Sequence, residues 1–203
     1  MKNDGLLIVF SGPSGAGKDT ILKRLLETNA DYRLSVSATT RAPREGEVDG
    51  KDYHFITKEK FQNMLKNDEL LESAEYCGNC YGTPSGPIRS WQAEGHDVIL
   101  EIEVQGGSQI KTKCPDCVSI FILPPSMEVL EQRLRGRGTE ADEVIQKRMM
   151  RAQKEIEEAV HYDYCVINDT VEKAVDEINQ IICAEKHKVY RNADFIERML
   201  NHA

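Results

Sequence analysis

The residues with the clearest chemical potential stand near the start of the chain, in the segment Gly12-Pro-Ser-Gly-Ala-Gly17-Lys18-Asp19-Thr20. Its glycines permit backbone angles closed to other residues, so successive N–H groups can point inward and surround a polyphosphate. The helix start that follows adds its positive dipole, and Lys18 reaches the β and γ phosphates. An apolar run before the segment and an amphipathic run after it predict a strand, a turn and a helix. We therefore expect nucleotide binding here.

The residue after this lysine departs from the pattern G-x-x-x-x-G-K-[ST], because Asp19 stands where Ser or Thr holds Mg²⁺ by its hydroxyl. Thr20 follows one place later. A carboxylate beside a triphosphate is repulsive unless it faces the metal or its water shell. Asp19, directly or through water, and Thr20 are thus both candidate Mg²⁺ ligands.

Length and charge narrow the class of protein. A chain of 203 residues with 40% hydrophobic and 30% charged residues predicts one α/β domain plus an inserted subdomain or two. The sequence has neither an apolar run long enough for a membrane helix nor a secretory signal, so we expect a cytoplasmic protein and no membrane partner. The net charge of −8 argues against nucleic acid as a partner. Local arginine clusters instead indicate a small anionic ligand.

Six cysteines include two Cys-x-x-Cys pairs, Cys77/Cys80 and Cys114/Cys117. The 33 residues between the pairs do not match a zinc ribbon, and each pair falls in a different predicted element. Unlinked reduced thiols are favoured over zinc or a redox pair, in keeping with a reducing cytosol.

A long polar loop over residues 39–55 is typical of ligand binding. Arg41 and Arg44 are three apart beside Tyr53, and they predict a bidentate fork on a second phosphate, although a solvated surface pair is the alternative. Ser37, just before the loop, is a candidate donor to a base carbonyl.

Two glutamates, Glu72 and Glu103, lie inside otherwise apolar segments. Their burial is costly unless they are paired. Two carboxylates facing N–H donors are what recognition of a guanine edge requires; the alternative is charge pairing with Arg or Lys. Tyr81, in a predicted turn, either contacts the acceptor phosphate or belongs to the core.

The segment Arg135-Gly136-Arg137-Gly138 has the composition of a mobile lid. Arg133, Arg137 and Arg148 are candidates to neutralise charge on a phosphoryl group in transfer. For Arg135 and Arg151 we favour pairing with glutamates of the same helices.

The order of elements predicts a doubly wound α/β fold, because helices and strands alternate along most of the chain. Strands are expected at 6–10, 34–37, 70–76, 97–104, 118–123 and 164–167, and helices from about 18, 57, 85, 105, 126, 140, 170 and 189. Residues 81–84 are expected to form a turn. Residues 35–83 look like an insertion, which leaves 1–34 and 84–203 as the core, with a lid at about 126–160.

Together these segments resemble the guanylate kinases. The resemblance is carried, in the family's order, by Gly12 to Lys18, Ser37-Ala-Thr-Thr-Arg41-Ala-Pro-Arg44-Glu-Gly-Glu47, Tyr81-Gly82-Thr83-Pro84, Glu101-Ile102-Glu103-Val104-Gln105-Gly106, Arg133-Leu-Arg-Gly-Arg137 and Val166-Ile167-Asn168-Asp169. It implies a P-loop NTPase-type parallel sheet with helices on both faces, a small GMP-binding α+β insertion and a helical lid. It also implies Mg²⁺-dependent transfer of the γ-phosphoryl group of ATP to GMP.

The resemblance assigns roles by matching position. The implied ATP contacts are Gly12, Pro13, Ser14, Gly15, Ala16, Gly17, Lys18, Asp19, Thr20, Arg133 and Asn168. The implied GMP contacts are Ser37, Arg41, Arg44, Tyr53, Glu72, Tyr81, Gly82, Thr83 and Glu103. The implied catalytic groups are Lys18, Arg41, Arg137 and Arg148. No covalent intermediate is expected.

Two departures from the family pattern stand out: Asp19 replaces the Ser or Gly common there, and Glu103 stands where Asp is frequent. Two other functions are compatible with the resemblance. One is a related kinase acting on a ribose bisphosphate, and the other is an inactive peptide-binding module. The intact Gly17-Lys18 and the lack of a further domain in the 203 residues argue against the module, and the 41–53 segment with Glu72 argues against the sugar kinase. The oligomeric state stays open.

Overall fold

The computed structural model describes residues 4–76, 78–136 and 141–201. Its strands are β1 Leu7–Ser11, β2 Tyr32–Leu34, β3 Ala38–Thr39, β4 His54–Phe55, β5 Leu70–Tyr76, β6 Asn79–Pro84, β7 Asp97–Glu101, β8 Val118–Leu123 and β9 Tyr164–Ile167. Its α-helices are α1 Lys18–Thr28, α2 Lys58–Lys66, α3 Ser85–Ala93, α4 Val104–Lys113, α5 Met127–Arg135, α6 Asp142–Glu157, α7 Val171–Lys186 and α8 Ala193–Asn201. Short 3₁₀ turns cover Glu158–His161 and Val189–Asn192.

A five-stranded parallel sheet in the order β2-β7-β1-β8-β9 forms the centre of the fold. The apolar run of β1 is buried at all five positions, as a strand covered on both faces requires. One cluster of buried side chains joins Ile8 and Phe10 to α1 and α7, and the other joins Leu7 and Val9 to α3 and α4. The expected α/β class with helices on both faces is confirmed.

The strand expected at 34–37 is wrong, because the chain changes sheets there. The N–H of Ser35 still donates to Ile99 O at 2.9 Å, next to the central sheet, whereas Ser37 O accepts from His54 N at 2.8 Å. A second sheet in the order β4-β3-β6-β5 begins at this point. Residues 81–84, expected as a turn, belong to β6, because that segment pairs with both β3 and β5.

Helix starts follow the capping residues in the sequence. The side chains of Thr57, Ser126 and Thr170 each accept a hydrogen bond from a backbone N–H in the first turn of α2, α5 and α7. This satisfies one of the free donors at each helix start. The helix starts expected near 126 and 170 coincide with these caps.

The helices α5 and α6 pack together through Leu130, Leu134, Ile145 and Ala152. The long helix expected from 140 to 161 is shorter: its α-helical part ends at Glu157 and a 3₁₀ turn completes it. Residue 140, the expected start, lies outside the described residues. Within the described ranges, no helix combines the length and apolarity needed to cross a membrane.

Candidate active site

The phosphate loop joins β1 to α1 at the carboxyl edge of the central sheet. Two of its glycines occupy positions where a side chain would not fit. Gly15 has φ 94°, and a Cβ there would lie 2.9 Å from side-chain carbons of Leu130 and Leu134. Gly17 has φ 89° and stands at the N-cap of α1, where a Cβ would lie 2.4 Å from Asn168 Nδ2. Both positions therefore favour glycine for backbone angle and for space.

Lys18 folds back over this loop. Its Nζ donates to Gly12 O at 2.7 Å and lies 3.5 Å from Pro13 O. The ammonium group is thus held above the turn whose N–H groups are expected to surround phosphate. This is the place from which a lysine neutralises the β and γ phosphates.

Arg133 and Asn168, expected on the ATP side, meet at Ala16 of the loop. Asn168 Nδ2 donates to Ala16 O at 2.7 Å, and Arg133 donates to Ala16 O at 3.3 Å and to Asn168 O at 2.9 Å. Asn168 is 3% exposed, and among the described residues its Oδ1 has no hydrogen-bond partner. A buried acceptor without a donor is uncommon, which makes Oδ1 a candidate ligand contact.

Glu101, to which the sequence assigned no role, lies beside Asp19. Burial first, and then the charge of the neighbouring Asp19, raise the pKa of Glu101 to about 7. The signal in the sequence was a carboxylate at the end of a buried strand adjacent to β1, where the phosphate loop also begins. Asp19 and Glu101 both line the cleft beside Lys18, whereas Thr20 is not among its lining residues.

This raised pKa has a consequence for stability. A carboxyl group with a folded-state pKa above its unfolded value contributes stability at low pH that is lost as the pH rises through about 7. We expect Glu101→Gln to remove this loss, so the nucleotide-free variant should melt above the wild type at pH 8 and close to it at pH 5. Calorimetric melting curves across pH 5–8 measure the difference. A gap that stays constant with pH would contradict the raised pKa.

Glu72 lies in β5 of the second sheet, packed against Gly82 of β6 and Gly106 of α4. The residue is 5% exposed, and its carboxylate accepts a hydrogen bond from Thr83 Oγ1 at 2.7 Å. Burial raises its pKa, and the bond from Thr83 opposes that rise. Gly82 and Gly106 approach it so closely that a Cβ would lie 2.9 Å from Glu72 O in the first case and 3.0 Å from its Oε2 in the second. Thr83 and Gly82, expected to contact GMP, thus also position Glu72.

Arg41 lies among aromatic rings with its guanidinium engaged by Glu47. Both Nη groups donate to the Glu47 carboxylate at 2.8 Å, and the guanidinium carbon lies 5.3 Å from the ring centroid of Tyr53. These bonds, together with the N–H of Arg44, lower the pKa of Glu47 to about 2. Tyr81 meets Tyr53 edge to face at 6.1 Å. The structure therefore gathers Arg41, Arg44, Tyr53 and Tyr81, and it adds Glu47, which sequence reasoning did not assign.

The helix α6, within the segment expected as a lid, supplies two arginines to the same region. Arg148 Nη2 donates to Ser14 Oγ of the phosphate loop at 2.6 Å. Arg151 pairs with Glu155 of its own helix, as expected, and also with Glu103. Arg135 pairs with Glu131 of its own helix and with Asp142, which bears out the expectation of local pairing. Arg137 and Cys77 lie outside the described residues, and the five described cysteines are free.

The sequence left charge pairing with Arg or Lys open as an alternative for Glu72 and Glu103, and the two residues differ in this respect. Glu103 forms the ion pair with Arg151 and its side chain is 68% exposed. Glu72 instead takes its hydrogen bond from a neutral hydroxyl. Glu103 is therefore not the buried group its apolar neighbours suggested, because β7 ends at Glu101 and the residue stands at the N-cap of α4.

A cleft of about 610 Å³ brings part of this set together, whereas Glu72, Arg41, Arg44 and Tyr81 are not among its lining residues. The phosphate loop and Glu101 form one side, Tyr53, Tyr76 and Glu103 form another, and Arg148, Arg151 and Glu155 of α6 complete it. A space this large holds a nucleotide-sized ligand with polar groups on several sides. Ser37, in the segment that joins β2 to β3, is half-buried.

Comparison with known proteins gives a consistent result. The family model described as guanylate kinase matches residues 5–185. A guanylate kinase from Desulfitobacterium hafniense is 53% identical over 190 residues, covering 94% of this chain and 95% of the relative, and one from Lactococcus lactis is 51% identical over 191 residues, covering 94% and 93%. The crystal structure of the guanylate kinase from Anaplasma phagocytophilum has a TM-score of 0.75 at 36% identity, covering 94% of this chain and 91% of that one.

Proposed function

The chain belongs to the guanylate kinase family, and we propose that its cleft transfers the γ-phosphoryl group of ATP to GMP, giving ADP and GDP. The observation that carries this proposal is the shared lining of the cleft, where Lys18 of the phosphate loop, Tyr53 next to β4 and Arg148 of α6 face one space. Such an arrangement admits two phosphorylated ligands end to end, as in-line transfer between them requires.

On the donor side, we assign the triphosphate to the loop of residues 12–20. The N–H groups at the start of α1 and the Lys18 ammonium neutralise it. We assign Asn168 Oδ1, which has no hydrogen-bond partner among the described residues, to the adenine amino group, while Arg133 holds the backbone of Asn168 in position. This division separates phosphate binding from base binding.

On the acceptor side, we assign the guanine base to Glu72, Glu103 and Ser37, and the GMP phosphate to Arg41, Arg44, Tyr53 and Tyr81. Guanine presents adjacent N–H donors, and a buried carboxylate held by Thr83 is a matched acceptor for them. Glu47 keeps the Arg41 guanidinium oriented in the nucleotide-free protein. The oriented arginine then loses little side-chain freedom when phosphate arrives.

The residues present fit Mg²⁺. Asp19 and Glu101 offer two carboxylates beside Lys18, and Mg²⁺ in phosphoryl-transfer sites is usually held by one or two carboxylates together with substrate phosphates. When bound, the ion neutralises charge on the phosphates. We favour Asp19 and Glu101 over Thr20 for this role, because only the first two line the cleft.

The lid arginines are assigned to charge that develops during transfer. Arg148 already reaches Ser14, and we place Arg137 with it on the transferred group. We propose that residues 35–83 and the lid at 126–160 close over the core, since an open site would let water accept the phosphoryl group. The free thiols of the described cysteines suit a reducing compartment, and we place the enzyme in the cytoplasm.

The function is tested by measuring ADP formation from ATP and Mg²⁺ with GMP, AMP, UMP or a ribose bisphosphate as acceptor. We expect turnover with GMP and its close analogues alone, because the carboxylate of Glu72 accepts the N–H donors of guanine. Turnover with the sugar phosphate would keep the donor site and overturn the acceptor assignment. A protein inert with every acceptor would overturn the proposed reaction.

A further inference from the structure

Arg151 joins three parts of the molecule. It lies in the lid helix α6, its Nη2 is 3.0 Å from Glu103 Oε2, and its Nε donates to Glu155 Oε1 at 2.7 Å. Its guanidinium carbon lies 5.6 Å from the ring centroid of Tyr76, at the end of β5 on the second sheet. Pairing within its own helix, as the sequence predicted, describes only one of these contacts.

The geometry suits the chemistry of a guanidinium group. Its planar fork can donate to two carboxylates through separate N–H groups while one face meets an aromatic ring. A lysine ammonium, as a compact charge, does not reproduce this set of directions. Arg151 therefore connects the lid, the loop after β7 and the second sheet through one rigid group.

The contact with Glu103 restricts the rotamer freedom of that side chain. Glu103 is 68% exposed, and a glutamate has one more rotatable bond than the aspartate frequent at this position in the resembling family. A mobile carboxylate loses rotamer freedom when a ligand orders it. The ion pair engages Oε2 and leaves Oε1 to accept a hydrogen bond from the base.

We propose that Arg151 is a positioning residue for the acceptor nucleotide, holding Glu103 toward the guanine site. The proposal rests on the proposed function, in which Glu103 contacts guanine. It predicts an effect on GMP that is not shared by ATP, since Arg151 makes no described contact with the phosphate loop.

The test compares Arg151→Met with the matched control Arg135→Met, which removes a lid arginine paired with Glu131 and Asp142. We expect Arg151→Met to weaken GMP binding about tenfold by calorimetric titration without ATP, with the ATP dissociation constant changed less than twofold. Arg135→Met should leave both constants unchanged. Equal weakening of both nucleotides by Arg151→Met, or unchanged GMP binding, would overturn the proposal.

A double-variant cycle identifies the route of the effect. If Arg151 acts through Glu103, Arg151→Met should add less than twofold to the GMP defect of Glu103→Gln. Full additivity would overturn that route. Arg151→Lys, which keeps the charge and loses the fork, should fall between wild type and Arg151→Met, and it serves as the test should the methionine variant not fold.

Failure of this inference is distinguishable from failure of the proposed function. Wild-type turnover with GMP tests the function and does not depend on Arg151. A wild type that phosphorylates GMP, with an Arg151→Met variant that binds GMP normally, would reject the inference alone.

Discussion

Lys18→Met is expected to lower kcat by about a thousandfold while the protein remains folded. The lysine supplies the positive charge nearest the phosphates that the loop is built to hold, and loss of one preorganised group that stabilises transition-state charge has an effect of this order. Its Nζ bonds only backbone carbonyls of the described loop, Gly12 O among them, so methionine removes charge without opening the core. Steady-state ADP formation with saturating GMP measures the loss.

The matched control is Lys23→Met, which removes an exposed lysine from the same helix. It should leave kcat within about twofold of the wild type, since surface substitutions away from a site have small effects. Circular dichroism of both variants verifies the fold. A Lys18→Met enzyme with the wild-type rate would refute the role assigned to this residue.

Glu72→Ala is expected to raise the KM for GMP about a hundredfold and the KM for ATP less than twofold. The buried carboxylate is assigned to accept from guanine N–H groups, and hydrogen bonds to a charged acceptor contribute about 1.5–3 kcal/mol each. In the alanine variant the guanine N–H groups would be buried without an acceptor, and this further weakens GMP binding. Initial rates with each nucleotide varied in turn give the two constants.

Two further variants separate recognition from stability. Glu72→Gln keeps the size and an acceptor for Thr83 but replaces one oxygen with an N–H group that repels a guanine donor, so it should share the GMP defect. Glu75→Gln changes an exposed glutamate of the same strand and should bind both nucleotides normally. If Glu72→Ala impaired ATP and GMP equally, the guanine assignment would be wrong.

The sequence alone determined those parts of the protein whose structure depends on residues close together in the chain. The phosphate loop is a local structure, because its glycine angles, its lysine and the helix start all lie within residues 12–20. Caps such as Ser126 and the buried run of β1 are likewise local, so the alternation of helix and strand and the α/β class followed from the pattern. The family resemblance followed from the order of such segments.

Predictions from local patterns were wrong where backbone hydrogen bonds to distant segments set the structure. Residues 34–37 read as one strand, yet Ser35 bonds the central sheet and Ser37 the second. The segment at 81–84 carries turn residues, yet pairing with β3 and β5 makes it a strand. Tertiary hydrogen bonds outweigh weak intrinsic preferences in such short segments.

Only the tertiary structure decided which charges meet. Glu101 lies beside Asp19, Glu47 holds Arg41, and Arg151 reaches Glu103, so two glutamates without an assigned role and one arginine expected to pair only within its own helix became parts of the site. The spacing of such residues does not encode these contacts, because a side chain's partner depends on how separate elements pack. Their pKa values and orientations follow from burial and from opposite or like charges within a few ångströms, and folding alone creates both conditions.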